Sequence, residues 1–250
     1  MCDATTDGLT ISTPGVTLDL GGHTISGPGA YTTSFSGVRV TGVPDVTVTR
    51  GTITGFQSGV VFNEADDGFI TKISAHGNDQ GINLSGHGGH LVAQNVVADN
   101  GRDAIALGES DGNTITQNVV TGNTFGIFVR NGSDDNVVTR NKVSATHSVG
   151  IATYDRANRT VVAQNTVWGN WDDGIRIGAD TSGSTLLQNT SYGNGGDGIE
   201  VSNATVTKNT ATYNGQLGIR ALAGATDGGG NKAAYNGDPA QCAGVVCGMP

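Results

Sequence analysis

The sequence predicts an all-β fold, a solenoid of stacked parallel strands, and three observations carry that prediction. An anchor pair recurs at Gly81-Ile82, Ala104-Ile105, Gly126-Ile127, Gly150-Ile151, Gly174-Ile175 and Gly198-Ile199, in steps of 22 to 24 residues. A sustained period in this range marks a repeat architecture rather than a single globular core. An asparagine column, Asn95, Asn118, Asn141, Asn165, Asn189, Asn209 and Asn231, keeps step with the anchors. The composition holds 41 Gly and 5 Pro with only 14% charged residues. That much glycine without a three-residue period points to many turns of positive φ and away from collagen.

Residues 1–36 read as an entry cap containing a first rung. Val16, Leu18 and Leu20 alternate as in a half-buried strand. The repeats run from residue 37 to 236. In each, the residue after the anchor and the one two places on share a face of a period-two strand, so both point inward. They are aliphatic almost throughout, as in Ile127 with Val129 and Ile175 with Ile177, with Thr153 after Ile151 an exception. Val92, Ile115, Val138, Val162, Leu186 and Val206 stand three before an Asn and supply a further inward column. Such a unit cannot bury its own apolar side. Stacking rungs about 4.8 Å apart buries a continuous core and lays Asn on Asn, where amides can form ladders. About ten rungs of 20–24 residues are expected, in one domain. The turn after the anchor strand varies most in length, and variable turns on a rigid scaffold are where function tends to sit.

Residues 237–250 read as a C-terminal cap carrying Cys242 and Cys247. These are either a local disulfide, which implies an oxidising compartment, or two reduced thiols. Cys2 is left over. No signal peptide is recognisable, and Met1 ahead of Cys2 reads as the start of a mature domain. Apolar runs are too short for a membrane span. The net charge is −9 and the sequence pI about 4.7. With no basic stripe legible along the sequence, nucleic acid is not expected as a partner.

The stretch Gly15-Val16-Thr17-Leu18-Asp19-Leu20-Gly21-Gly22-His23-Thr24-Ile25-Ser26-Gly27 resembles the entry rung of secreted bacterial parallel β-helix repeat proteins. The phrases Gln94-Asn95, Gln117-Asn118, Gln164-Asn165 and Gln188-Asn189 are similar to the same group. The resemblance, to the pectate-lyase-like superfamily, covers nearly the whole chain. It implies a single right-handed parallel β-helix, a secreted or periplasmic location, a monomer, and a polysaccharide as partner. It does not fix an activity, because this fold carries many. Relatives include lyases, hydrolases and epimerases. Asp172-Asp173 and Gly86-His87-Gly88 stand in the reverse of polygalacturonase order, and Gly178 replaces the Lys expected two after Arg176, which argues against a pectin hydrolase.

In such proteins substrate lies along the outer face of one sheet. The outward positions here place Phe128, Arg130, Tyr154, Arg176 and Glu200 on nearby rungs, with His147 in the corner before the Tyr154 strand. Elimination or C5-epimerisation of a uronic-acid polymer needs a cation on the carboxylate and groups that exchange the α proton. Arg130 or Arg176 would serve as the cation, His147 and Tyr154 as proton carriers, Phe128 as a platform for the sugar face and Glu200 as a further contact. The plainer reading is a solvated face with ordinary pairs such as Arg176 with Glu200. Asp173 and Asp197, flanked by Trp171, add carboxylates at one-rung spacing. They suit sugar binding, glycosidase chemistry or Ca²⁺ ligation, or simply Asp-Gly turn chemistry. No cofactor beyond Ca²⁺ is suggested. The alternative to an enzyme is a non-catalytic extracellular binding or surface-structural module. His87 and His90 in a Gly-rich turn are weak metal-ligand candidates.

Overall fold

The structure, a computed structural model, describes residues 6–31 and 34–250; Cys2 lies outside the described residues. Every regular element among them is a strand. Eleven strands form one parallel sheet, among them Gln80–Ser85, Asp103–Gly108, Phe125–Arg130, Ile151–Thr153, Ile175–Ile177 and Ile199–Val201. The other strands form two parallel ladders that share the long strands Thr47–Thr54 and Phe69–His76 and separate beyond them. Each turn of the chain visits the eleven-stranded sheet, the first ladder and the second ladder in that order. This is a parallel β-helix, and parallel crossovers of this kind are right-handed.

The register confirms the anchor columns. Ile82 pairs with Ile105, Ile105 with Ile127, Ile127 with Ile151, Ile151 with Ile175 and Ile175 with Ile199. All six are fully buried, as are Val92, Ile115, Val138, Val162, Leu186 and Val206 from the first ladder. Each such side chain contributes about 1.5–3 kcal/mol relative to exposure.

The Asn columns form the expected ladders. Asn165 Nδ2 donates to Val138 O at 2.9 Å and to Asn189 Oδ1 at 3.0 Å, while its own Oδ1 accepts the Asn141 backbone N–H at 2.9 Å and Asn141 Nδ2 at 3.1 Å. The other column, Asn78–Asn100–Asn123 and Asn170–Asn194–Asn214–Asn236, is interrupted by Thr146 and ends on Gln241, whose Oε1 accepts from the Asn236 side chain at 3.0 Å. Cys242 and Cys247 form a disulfide between the last two short strands, which pair with Ile219 and Asn231.

The corner between the two ladders corrects one sequence-based reading. The corner residue on eight rungs adopts a left-handed conformation although it is not glycine: Arg50 and Lys72 on the early rungs, then Gln94, Gln117, Arg140, Gln164, Gln188 and Lys208 directly before an Asn of the column, with φ between 53° and 59°. Lys142 and Lys232 hold the same register position at the start of the second ladder, on the same corner. All four lysines of the chain, with Arg50 and Arg140, therefore stand on one edge. A basic stripe exists, assembled from residues far apart in sequence.

Candidate functional site

The outer face of the eleven-stranded sheet gathers most of the residues expected there. The rings of Phe125, Phe128 and Tyr154 form a shelf, with centroids 5.1 Å and then 5.5 Å apart. Tyr154 follows the strand Ile151–Thr153, whose outward residue Ala152 is fully buried. Arg130 lies with its guanidinium 5.6 Å from the Phe128 centroid and pairs with Asp103 at 3.2 Å. Phe125 was not foreseen. It holds the position just before an anchor, which is Asp in three other rungs, and that aromatic substitution was the available signal.

Tyr154 leads to a charged group on the next rungs. Arg176 Nη1 lies 3.4 Å from the Tyr154 hydroxyl. Its Nε donates to Asp173 Oδ2 at 2.7 Å, Nη2 reaches Asp172 at 3.2 Å, and Glu200 stands 3.4 Å from Nε. Glu200 also faces Arg220 at 3.7 Å. The plain Arg176–Glu200 pair is thus present, but Asp173 holds the guanidinium more closely.

Asp173 and Asp197 are buried, at 3% and 2% exposure, which decides their role. Asp173 Oδ1 accepts the Asp197 backbone N–H at 2.7 Å. Asp197 repeats the arrangement with the Leu217 N–H at 2.8 Å and with Arg220 Nε at 2.5 Å. Near the other end of the helix Asp7 does the same, holding the Ser36 N–H and Arg39 Nε, both at 2.7 Å. At Asp7, Asp173 and Asp197 the Asp before the anchor is therefore a clasp on the next rung, its oxygen bonding a neighbouring backbone and not its own turn. Asp103 differs: its Oδ2 accepts from the Gln80 and Arg130 side chains. Asp173, Asp197 and Glu200 bring ligand atoms within 4.8 Å of one another, but Arg176 and Arg220 already neutralise them.

Electrostatics follow from this packing. Burial pushes the Asp173 carboxyl up to about 6, overriding Arg176. Burial likewise raises the Tyr154 hydroxyl above its ordinary value despite the Arg176 contact. For Arg176, burial opposes the charge, but Tyr154 and Asp173 more than restore it, so its pKa stands above the ordinary value. At neutral pH Tyr154 is a neutral donor and Arg176 a cation committed to carboxylates.

His147 belongs elsewhere. It precedes the strand that Tyr154 follows, so the two stand at its opposite ends. The exposed His147 ring meets Trp171 edge-on at 4.7 Å, and lines a cleft of about 350 Å³ with Tyr31 and Asp99. Of the two histidines weighed for metal, His87 pairs with Asp66 at 3.0 Å, and buried His90 accepts the Gly68 N–H on Nδ1 at 3.0 Å. Each is engaged by the protein itself.

A family model described as the right handed beta helix region matches residues 3–143 and 81–236. No curated protein matches the sequence. Among solved structures, the Dettilon tailspike protein is 18% identical with a TM-score of 0.69, over 93% of this chain and 59% of its own. The A-module of the mannuronan C-5 epimerase AlgE4 from Azotobacter vinelandii is 16% identical with a TM-score of 0.68, over 96% of this chain and 89% of that module. The periplasmic alginate epimerase AlgG is 16% identical with a TM-score of 0.63, over 98% and 75%. At these identities the likeness is one of fold. Together with the register and the stacked columns, the family match settles one point: the chain belongs to the right-handed β-helix family.

Proposed function

We propose that this protein binds a polysaccharide along the outer face of its eleven-stranded sheet and does not cleave it. The Phe125–Phe128–Tyr154 shelf carries the reading: three partly exposed rings lie side by side on a face bordered by Arg130 and Glu200. Aromatic faces take the C–H side of a sugar, and flanking polar groups take its hydroxyls. Tyr154, held neutral, donates a hydrogen bond. The secreted or periplasmic location expected from the family resemblance is consistent with the disulfide.

Binding is favoured over chemistry because the parts for α-proton abstraction are engaged. Arg176 is held by Asp172, Asp173 and Glu200, so it is not a free cation for a substrate carboxylate. A tyrosine with a raised pKa is a poor base. The second reading, a lyase or C5-epimerase on an acidic polysaccharide, rests on the Tyr154–Arg176 contact and on the fold shared with two alginate epimerases.

The test is affinity electrophoresis of the full chain through gels containing alginate, pectate or a neutral glucan, beside an assay for unsaturated uronates and for altered uronate stereochemistry. Retardation without product is expected, and Phe128→Ala with Tyr154→Ala should weaken it about 30-fold, given the ~1 kcal/mol per ring typical of aromatic contacts. Binding indifferent to both substitutions overturns the site. Product formation lost in Arg176→Ala would establish the second reading instead.

A further inference from the structure

The basic edge between the two ladders is not used by the sheet face, and its pairing differs from the rest of the molecule. Elsewhere, Arg39, Arg102, Arg130, Arg159, Arg176 and Arg220 each pair with a carboxylate, and Arg156 alone forms no ion pair among the described residues. On this edge only Arg50 does so, through Asp19; the other carboxylate beside the stripe, Asp227, accepts from the Asn231 side chain and the Gly229 and Val246 N–H groups and pairs with no cation among the described residues. Lys72, Lys142, Lys208, Lys232 and Arg140 are exposed and form no ion pair among the described residues. In a chain of net charge −9, random placement would surround these cations with acids. Instead the edge carries free positive charge along its length.

The register fixes how the charges are spaced. The first second-ladder position runs Thr52, Ser74, Val96, Val119, Lys142, Thr166, Thr190, Thr210, Lys232 on consecutive rungs. From Arg50 to Lys232 the edge extends about 38 Å at the usual strand spacing. Cations cluster at its two ends and its middle. Between them, exposed amides stand in line: Gln94 donates to Gln117 at 3.2 Å, Arg140 to Gln164 at 3.0 Å, and Gln164 to Gln188 at 3.2 Å. Val96 and Val119 are exposed beside them. At the entry end the edge opens into a groove of about 630 Å³ between Gly21-Gly22 and Gln94, with Arg50 and Lys72 on its wall. Gly21 and Gly22 both have positive φ, and as glycines they leave that wall low.

We propose that this edge is a docking track for an anionic polysaccharide of the polyuronate kind. Spaced cations take the carboxylates, the amides take hydroxyls, and Val96 with Val119 contacts ring C–H groups. Nucleic acid fits less well: duplex DNA carries a charge about every 1.7 Å, far denser than six cations over the edge. The ligand class rests on the polysaccharide reading above, but the surface is a separate one. The chain turns a full corner between this edge and the aromatic shelf, so the two engage different stretches of polymer.

The edge supplies its own conservative replacements. Lys72→Gln, Arg140→Gln and Lys208→Gln introduce the residue used at neighbouring rungs in the same left-handed conformation, and Lys142→Thr with Lys232→Thr copies the adjoining column. The full chain with all five changes should keep its melting temperature, lose about tenfold or more in alginate affinity at low salt, and show a flatter dependence of affinity on salt. Phe128→Ala should leave that salt dependence as it is. Unchanged alginate affinity in the five-fold variant, with the Phe128→Ala loss intact, overturns the track and spares the sheet-face site. Loss in the five-fold variant with Phe128→Ala silent supports the track and overturns the sheet-face site. Equal or tighter edge-dependent binding of a duplex DNA fragment overturns the polysaccharide assignment, and no binding to any polymer overturns both proposals.

Discussion

Asp173 Oδ1 accepts the backbone N–H of Asp197 at 2.7 Å, so one carboxylate ties two rungs together while its other oxygen holds Arg176. The clasp is buried, and its titration has an unusual sign. The folded pKa, about 6, lies above the ordinary 3.8, so the folded state holds this proton more tightly than the unfolded chain. Its contribution is fully present below 3.8 and is lost as pH rises through 6. Wild-type stability should fall by up to about 3 kcal/mol relative to Asp173→Asn between pH 4 and 7. Urea unfolding of both proteins across that range measures it; a constant difference between them would refute the shift.

His90 has the opposite slope in nearly the same window. Burial holds its pKa down to about 4 against the pull of Asp66 and Asp67. Nδ1 accepts the Gly68 N–H, so the ring proton sits on Nε2, which has no hydrogen-bond partner. Protonating Nδ1 breaks the Gly68 bond. The stability contributed by the neutral ring is present above 6.5 and is lost as pH falls through 4. His90→Asn should remove this acid lability, because Asn113 and Asn136 make the same kind of bond on the rungs below. An unfolding midpoint at pH 4.5 that is no higher, relative to pH 7, in the variant than in the wild type would count against this.

The amide ladder makes a larger prediction. Asn165→Ala removes four hydrogen bonds and leaves the Asn141 N–H and the Val138 carbonyl buried without their partners. About 3 kcal/mol or more should be lost. Hydrogen exchange should accelerate first at the rungs of Asn141 and Asn189. A loss below 1 kcal/mol would mean that water replaces the ladder.

The fold was legible because its signals are local and repeated. Ile127, Ile151 and Ile175 announce the inward column, and Asn141, Asn165 and Asn189 announce the corner. Even the disulfide was visible as a local pair. The site was less legible, because a cross-rung contact depends on side-chain reach as well as column. Asp173 looked like turn chemistry or a sugar ligand, and only its burial and its bond to Asp197 show the clasp. His147 and Tyr154 are near in sequence, yet an extended strand carries them apart. The basic edge was hidden for the opposite reason. Lys72, Lys142 and Lys208 are distant in sequence, and the helix brings them into line. Part of the clue was present in the Gln-Asn phrase, since two of the rungs that break it put Arg140 and Lys208 before the Asn.

The end cap has a consequence for assembly. A β-helix is an open stack, and its last rung would ordinarily present a row of unpaired backbone groups on which another chain could continue the sheet. Here that rung is reduced to two strands of two residues each, Cys242–Ala243 and Cys247–Gly248, bound to each other through sulfur, while Gln241 terminates an amide ladder. An edge on which a fibre could grow is thus shortened to a few residues. At this rung the cross-strand repetition that the chain shares with amyloid is interrupted by residues that decline to repeat.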